Sequence, residues 1–111
     1  MRRSIHRGPA SLVVGDTEAV PLHMRERVKE VSNVHVEAEQ RRQGHASRLL
    51  QEVCSDADMA GIVLLLSPSP EDEGMTIDNL ASWYARFGFV EIQAEPMLMA
   101  RAPKQQSWTV H

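Results

Sequence analysis

The sequence predicts a single domain of mixed α/β class, with helices packed on one mixed β-sheet. Three observations predict it: a short chain, a strand–glycine turn–helix–strand succession in its middle, and a second helical stretch followed by two short strands. At 111 residues the chain can bury one modest core and is too short for two. We expect residues 11–102 to form the domain, 1–10 a flexible basic segment and 103–111 a loose tail.

The composition excludes several classes of protein. The longest uninterrupted apolar run, Ile62 to Leu66, is too short to span a bilayer. The only cysteine, Cys54, cannot form an intramolecular disulfide or a sulfur-rich zinc site, and the five histidines show no metal-like spacing. We therefore expect a cytoplasmic protein without a metal. Residues 1–29 carry six basic and three acidic side chains, but no aromatic residue stands between them, so nucleic-acid binding is disfavoured.

Two elements are expected before residue 37. Apolar runs at 11–14 and 18–24 flank Gly15-Asp16-Thr17, which indicates a hairpin. A valine-rich run from Val28 to Val36 then predicts a strand that ends near Glu37.

A βαβ unit is predicted in the middle of the chain. After Gly44 the apolar residues take helical spacing and form one stripe: Ala46, Leu49, Leu50, Val53, Cys54 and Ala57. Gly61 ends this helix, and Ile62–Leu66 is typical of a strand covered on both faces. Such a crossover joins parallel strands and is right-handed.

The last third predicts a helix and a strand pair. Ser67 to Gly74 has the composition of a loop, and Thr76 can cap a helix. Gly88 can end that helix in the left-handed conformation. Residues 89–93 and 97–100 form two strands around Glu95-Pro96. A second apolar stripe with helical spacing predicts this helix: Ile77, Leu80, Ala81, Tyr84 and Phe87.

The chemically informative segment is Arg41-Arg42-Gln43-Gly44-His45-Ala46, which joins a strand to the first turn of a helix. A helix N-terminus offers unpaired N–H groups and the positive end of the helix dipole. Gly44 lets the backbone approach a phosphate closely, and the two arginines add full charges. The segment predicts an anion site; a glycine turn that binds nothing is the alternative.

These residues resemble the Arg/Gln-x-x-Gly-x-Gly/Ala signature of the GNAT superfamily of N-acetyltransferases. Downstream, Tyr84-Ala85-Arg86-Phe87-Gly88-Phe89 is similar to the family's Tyr-x-x-x-Gly-Phe motif. The resemblance covers residues 31–102. It implies a GNAT-like acyl-CoA N-acyltransferase fold with a β-α-β-α-β-β core, shortened at its N-terminus, and acetyl-CoA as cosubstrate.

The resemblance also implies a set of cosubstrate contacts. The signature would hold the pyrophosphate, and the strand before it would offer backbone groups to the pantetheine arm. The family's helix asparagine is replaced by Ile77, with Asn79 nearby, and the usual proline after the strand is Ala38. The implied binding residues are Val36, Ala38, Arg41, Arg42, Gln43, Gly44, His45, Ala46, Ser47 and Asn79.

Two residues are candidates for the chemistry. Tyr84 matches the family tyrosine that gives a proton to the departing thiolate; its alternative role is a half-buried aromatic on the core stripe with its hydroxyl in water. Glu30, eleven residues before Arg41, matches the family position of the base; its alternative is a charged strand end. His35 and Glu37 are substitutes for the base, and the loop carboxylates Glu71 to Glu73 could attract a cationic acceptor.

The leading hypothesis is therefore an acetyl-CoA-dependent N-acetyltransferase that acts on a primary amine, of a small molecule or a protein, by direct attack in a ternary complex. An inactive acyl-CoA-binding or protein-interaction module on the shortened fold is the alternative. Family members usually begin with a strand and two helices that wall off the acceptor. Since this chain is too short for all of them, we expect a homo-oligomer in which a second subunit covers the open side.

Overall fold

A computed structural model describes residues 2–18, 20–36, 44–69 and 76–104. The described strands form one six-stranded mixed sheet in the order β1-β2-β3-β4-β6-β5. The elements in chain order are β1 Arg2–Arg7, β2 Ala10–Asp16, a 3₁₀ turn Leu22–Met24, β3 Val28–Val36, α1 His45–Ala60, β4 Val63–Leu66, α2 Ile77–Ala85, β5 Val90–Ala94 and β6 Met97–Arg101.

The N-terminal hairpin differs from the one predicted. It joins β1 and β2 around Gly8, whose φ of +60° suits the turn, with Arg2 opposite Gly15 and Arg7 opposite Ala10. The turn predicted at residues 15–17 is wrong, because β2 continues through Gly15 to Asp16. Within residues 1–10, which the sequence analysis expected to be flexible, Arg2–Arg7 form the edge strand β1. Ile5 packs against the core while its basic neighbours stay exposed, so composition hid the strand.

The βαβ unit forms as predicted. β3 and β4 are parallel, with Val28 opposite Val63 and Glu30 opposite Leu65. α1 connects them and buries its apolar stripe from Leu49 to Ala57. Leu64, Leu65 and Leu66 are all buried, as the unbroken apolar run predicts.

Both helices share one core with the sheet. Alternate residues of β2, β3, β4 and β6 meet the apolar stripes of α1 and α2 in a single cluster, which places both helices on the same face of the sheet. Its most buried members are Leu12, Leu49, Leu50, Leu64, Leu66 and Phe89.

The C-terminal part also follows the prediction. Thr76 caps α2, because its Oγ1 accepts the Asn79 N–H at 3.0 Å. Gly88, with φ of +99°, turns the chain into β5, and a cis Glu95–Pro96 bond lies between β5 and β6. No helix within the described ranges is long and apolar enough to cross a membrane.

Candidate functional site

A wedge opens in the sheet where β3 and β4 separate. The two strands pair at three positions and stop at Glu30–Leu65, although β3 continues to Val36. Beyond Glu30, β3 is paired only with β2 among the described residues. We call the space between β3 past Glu30 and β4 past Leu65 the wedge. It leaves one edge of the β3 backbone open to a ligand.

A β-bulge in β3 lies beside the wedge. Ser32 pairs with Val13 and His35 with Ser11, so β3 carries one more residue than β2 over this stretch. Asn33 takes φ of +52°, which is uncommon outside glycine. A bulge bends its strand and increases the local twist, which explains why β3 leaves β4 here.

The N-terminus of α1 carries neither a capping side chain nor an acidic residue. Gly44 takes φ of +83° at the N-cap and supplies no capping side chain, and the first turn holds no acidic residue. The Arg48 N–H donates to the Gly44 carbonyl at 3.0 Å, so α1 proper begins there. The N–H groups of His45, Ala46 and Ser47 lie in the turn that has no acceptor within the helix.

Arg48 adds a cation to this end of α1. Its Nη2 lies 3.2 Å from His45 Nδ1, and its Nη1 would lie 3.5 Å from a Cβ at position 44. The guanidinium therefore folds back over the glycine. The sequence analysis did not identify Arg48 as a candidate site residue. The available signal was its position one turn after Gly44, where a cation opposes the helix dipole unless an anion is bound.

The wedge and the helix N-termini lie at one edge of the sheet. β3 and β4 are parallel, so their carboxyl ends point the same way, and α1 follows β3 as α2 follows β4. This is the edge at which open α/β sheets bind ligands. Asn79, in the first turn of α2, has an exposed side chain there.

Tyr84 is buried in the last turn of α2. Its ring makes edge-to-face contacts with Trp83, at 4.9 Å between centroids, and with Phe89, at 5.8 Å. At 6% exposure Tyr84 is more buried than the half-buried aromatic that was its alternative role. These ring contacts fix the position of the aromatic ring independently of any role of the hydroxyl group.

Glu30 and Ser32 lie together at the base of the wedge, where β3 and β4 begin to separate. Glu30 belongs to the last β3–β4 pair, and Ser32 follows two residues later on the same face of β3. The Ser32 Oγ is shielded from solvent and has no hydrogen-bond partner among the described residues. His35 is exposed farther along β3. Sequence reasoning missed Ser32, since a serine in a strand carries no motif.

Several sequence-predicted residues lie outside the described ranges: Glu37, Ala38, Arg41, Arg42, Gln43 and Glu71 to Glu73. Of Val36 the structure describes the backbone at the end of β3. Cys54 is buried in α1, and burial raises the pKa of its thiol, which disfavours a nucleophilic role. No group of three His, Cys, Asp or Glu in the described parts of the chain could hold a metal ion.

Solved structures resemble this chain, whereas no protein-family model and no curated protein sequence matches it. The anti-CRISPR protein AcrVA5 superposes with a TM-score of 0.69 at 20% identity, over 89% of this chain and 96% of its own. The ribosomal-protein-S18-alanine N-acetyltransferase of Escherichia coli gives 0.64 at 15% identity, over 100% and 74%. A GNAT-family acetyltransferase of Staphylococcus aureus gives 0.57 at 16% identity, over 86% and 60%.

The chain therefore has the GNAT N-acetyltransferase fold, and the fold predicted from the two motifs is confirmed. At 15 to 20% sequence identity, these similarities concern the fold. The described residues before β3 hold one 3₁₀ turn and no α-helix.

Proposed function

We propose that this protein is an acetyl-CoA-dependent N-acetyltransferase that acts on a primary amine by direct attack in a ternary complex. One observation carries the proposal: the uncapped, cationic N-terminus of α1 lies at the same sheet edge as a wedge that has a carboxylate at its base. The GNAT fold and two neighbours that are acetyltransferases support it.

The α1 N-terminus fits the pyrophosphate of acetyl-CoA. Three N–H groups, of His45, Ala46 and Ser47, are available, and the Arg48 guanidinium lies beside them. Gly44 keeps a side chain out of the approach. Arg41, Arg42 and Gln43 complete the proposed contact set.

The wedge fits the pantetheine arm. The arm carries amide groups, and the open edge of β3, up to Val36 and on to Ala38, can exchange hydrogen bonds with them as a neighbouring strand would. Asn79 in α2 would contact the arm from the other side. The thioester then comes to the region of Glu30, and its carbonyl carbon supplies the electrophile.

Glu30 and Tyr84 have separate tasks in the transfer. The amine nitrogen forms the new C–N bond while the thioester C–S bond breaks. Glu30 accepts the proton that the amine loses, directly or through water, and the Tyr84 hydroxyl gives a proton to the departing sulfur. Exchange with solvent afterwards restores both side chains, so the overall reaction yields an amide and free coenzyme A.

The test is release of free thiol from acetyl-CoA in the presence of an amine panel that includes N-terminal and lysine peptides. We expect thiol release that depends on the amine, together with a mass increase of one acetyl group on that amine. Binding of acetyl-CoA without turnover on any amine would instead support the inactive module, which the deep burial of Tyr84 favours. Absence of binding would refute both.

We also propose that the protein acts as a homo-oligomer joined through β5. This edge strand is exposed along its length, with Val90 at 62% and Ile92 at 55%, whereas the other edge strand carries Arg2, Arg3 and Arg7. Light scattering at tens of micromolar should give a mass above 12.5 kDa that Ile92→Lys reduces to the monomer value. A native protein that is already monomeric would refute this.

A further inference from the structure

We propose that Ser32 is the residue that selects primary over secondary amines, an inference that rests on the proposed acetyl transfer. The starting observation is its buried Oγ without a hydrogen-bond partner among the described residues. A buried hydroxyl left unpaired is unfavourable, so such groups in native proteins call for an explanation. A ligand that forms a hydrogen bond with this hydroxyl would be such an explanation.

The position of Ser32 indicates that this ligand is the acceptor amine. Ser32 follows Glu30 by two residues, so the two side chains lie on the same face of β3, with their Cα atoms about 6.5 Å apart. The last β3–β4 pair is at Glu30, and Ser32 is the next residue on this face, inside the wedge. Val31, between them, belongs to the core on the other face, beneath the helices. An amine that reaches Glu30 from the side away from the helices therefore meets Ser32.

The bulge keeps this hydroxyl in place. Ser32 is paired with Val13 of β2, and Asn33 directly after it takes the left-handed conformation. Its backbone is thus held by β2, and the strand bends immediately after it. A group fixed in this way is suited to orient a reacting atom.

The chemistry then gives a specificity. A neutral primary amine has a lone pair and two N–H groups. With the lone pair directed at the carbonyl carbon, one N–H faces Glu30 and is lost as a proton, and the other donates to Ser32 Oγ and remains in the product amide. A secondary amine has a single N–H, so it leaves Ser32 unpaired and directs an alkyl group against it. Sites built to hydrogen-bond a substrate group discriminate strongly against an analogue without it.

The experiment compares n-butylamine with N-methylbutylamine as acceptors. We expect the native protein to prefer the primary amine by at least about tenfold in kcat/KM. Ser32→Ala should lower kcat/KM for the primary amine by about tenfold and leave the secondary amine unchanged, so that the preference disappears. Ser32→Thr, which keeps the hydroxyl, should retain the preference. Ser11→Ala, on β2 and outside the wedge, should change neither value.

Two further measurements distinguish a ligand-binding role from a structural one. Ser32→Ala should keep the native affinity for acetyl-CoA by calorimetry, and its melting temperature should be equal to or above that of the native protein, because no bond is lost in the free state. A lower melting temperature would show that the hydroxyl has a structural partner and would overturn the proposal. An active native protein whose preference survives in Ser32→Ala would overturn the role of Ser32 alone. A native protein that acetylates neither these two amines nor any member of the peptide and amine panel would overturn the proposed acetyl transfer as well.

Discussion

Tyr84 has a structural role in the core and a proposed catalytic role. Its ring contacts Trp83 and Phe89 and belongs to the core, while its position matches the tyrosine of the Tyr-x-x-x-Gly-Phe motif. The two roles use different parts of the side chain. Removal of the hydroxyl alone can therefore separate them.

Tyr84→Phe should slow acetyl transfer at least tenfold and leave acetyl-CoA affinity unchanged, since only the proposed proton donor is lost. The ring stays, so the melting temperature should change little. Steady-state thiol release, calorimetry and thermal unfolding measure the three quantities. A joint loss of rate and affinity would indicate a structural tyrosine.

At the residue scale, the sequence analysis proposed residues that belong to recognisable motifs. It did not identify residues whose position depends on how the strands and side chains are arranged in the fold. Gly44 and Tyr84 were proposed as site residues because their spacing matches a motif. Arg48 was missed because helical periodicity gives the face on which a side chain begins, not the direction in which a long one bends. Ser32 was not identified, because its place beside the wedge depends on where β3 leaves β4, and a bulge of one residue has no sequence signature here.

The helices and strands also fall into two groups, those that the sequence predicted and those that it did not. Both helices and the strands β3, β4 and β6 follow the apolar periodicity closely, because each buries a continuous stripe or run. The N-terminal hairpin was misplaced, since only Ile5 of β1 packs against the core and the other residues of that strand are polar or charged. Ile92 is 55% exposed although it is apolar, because β5 is an edge strand with an irregular register at this residue.

The cap of α2 gives a prediction at this scale. Thr76→Ala removes the side chain that accepts the Asn79 N–H and should reduce the free energy of unfolding by about 1 kcal/mol. Thr76→Ser, which retains the hydroxyl, should stay within a few tenths of the native value. Urea denaturation measures both. Equal stability of the alanine and serine variants would mean that the cap contributes nothing.

One ion pair connects distant parts of the molecule. Arg101 of β6, only 3% exposed, donates to both carboxylate oxygens of Asp58 in α1, at 2.8 and 3.0 Å. Its Nε donates to the Phe87 carbonyl after α2 at 2.6 Å, and the Lys104 N–H donates to Asp58 at 2.7 Å. The sheet and both helices thus meet at one guanidinium.

Asp58→Ala should therefore be costly, because it leaves a buried guanidinium without its counter-charge. We expect a loss of roughly 3 kcal/mol in the free energy of unfolding. Glu52→Ala is the matched control, since it breaks the exposed pair with Arg7 and should cost less than about 1 kcal/mol. Similar losses in the two variants would contradict the connecting role of Arg101.

The same pair gives a pH dependence. The Arg101 guanidinium lowers the pKa of Asp58 below its usual value. A carboxyl with a lowered pKa in the folded state stabilises the protein above its unfolded pKa, near 3.9, and this stabilisation is lost as the pH falls through the folded value. Stability should hence decrease in acid below about pH 4. Asp58→Asn should remove part of that decrease in acid titrations followed by circular dichroism, and an unchanged acid profile would contradict it.

The measurement that tests the central claim most directly is the affinity of acetyl-CoA for Gly44→Val compared with Gly61→Val. Both glycines have positive φ, +83° and +70°, and stand at opposite ends of α1, so both variants carry similar backbone strain. By calorimetry, Gly44→Val should bind at least about tenfold more weakly, through loss of the approach to the N–H groups and of charge-assisted bonds. Gly61→Val should keep the native affinity. Equal affinities in the two folded variants would contradict a cosubstrate site at the N-terminus of α1.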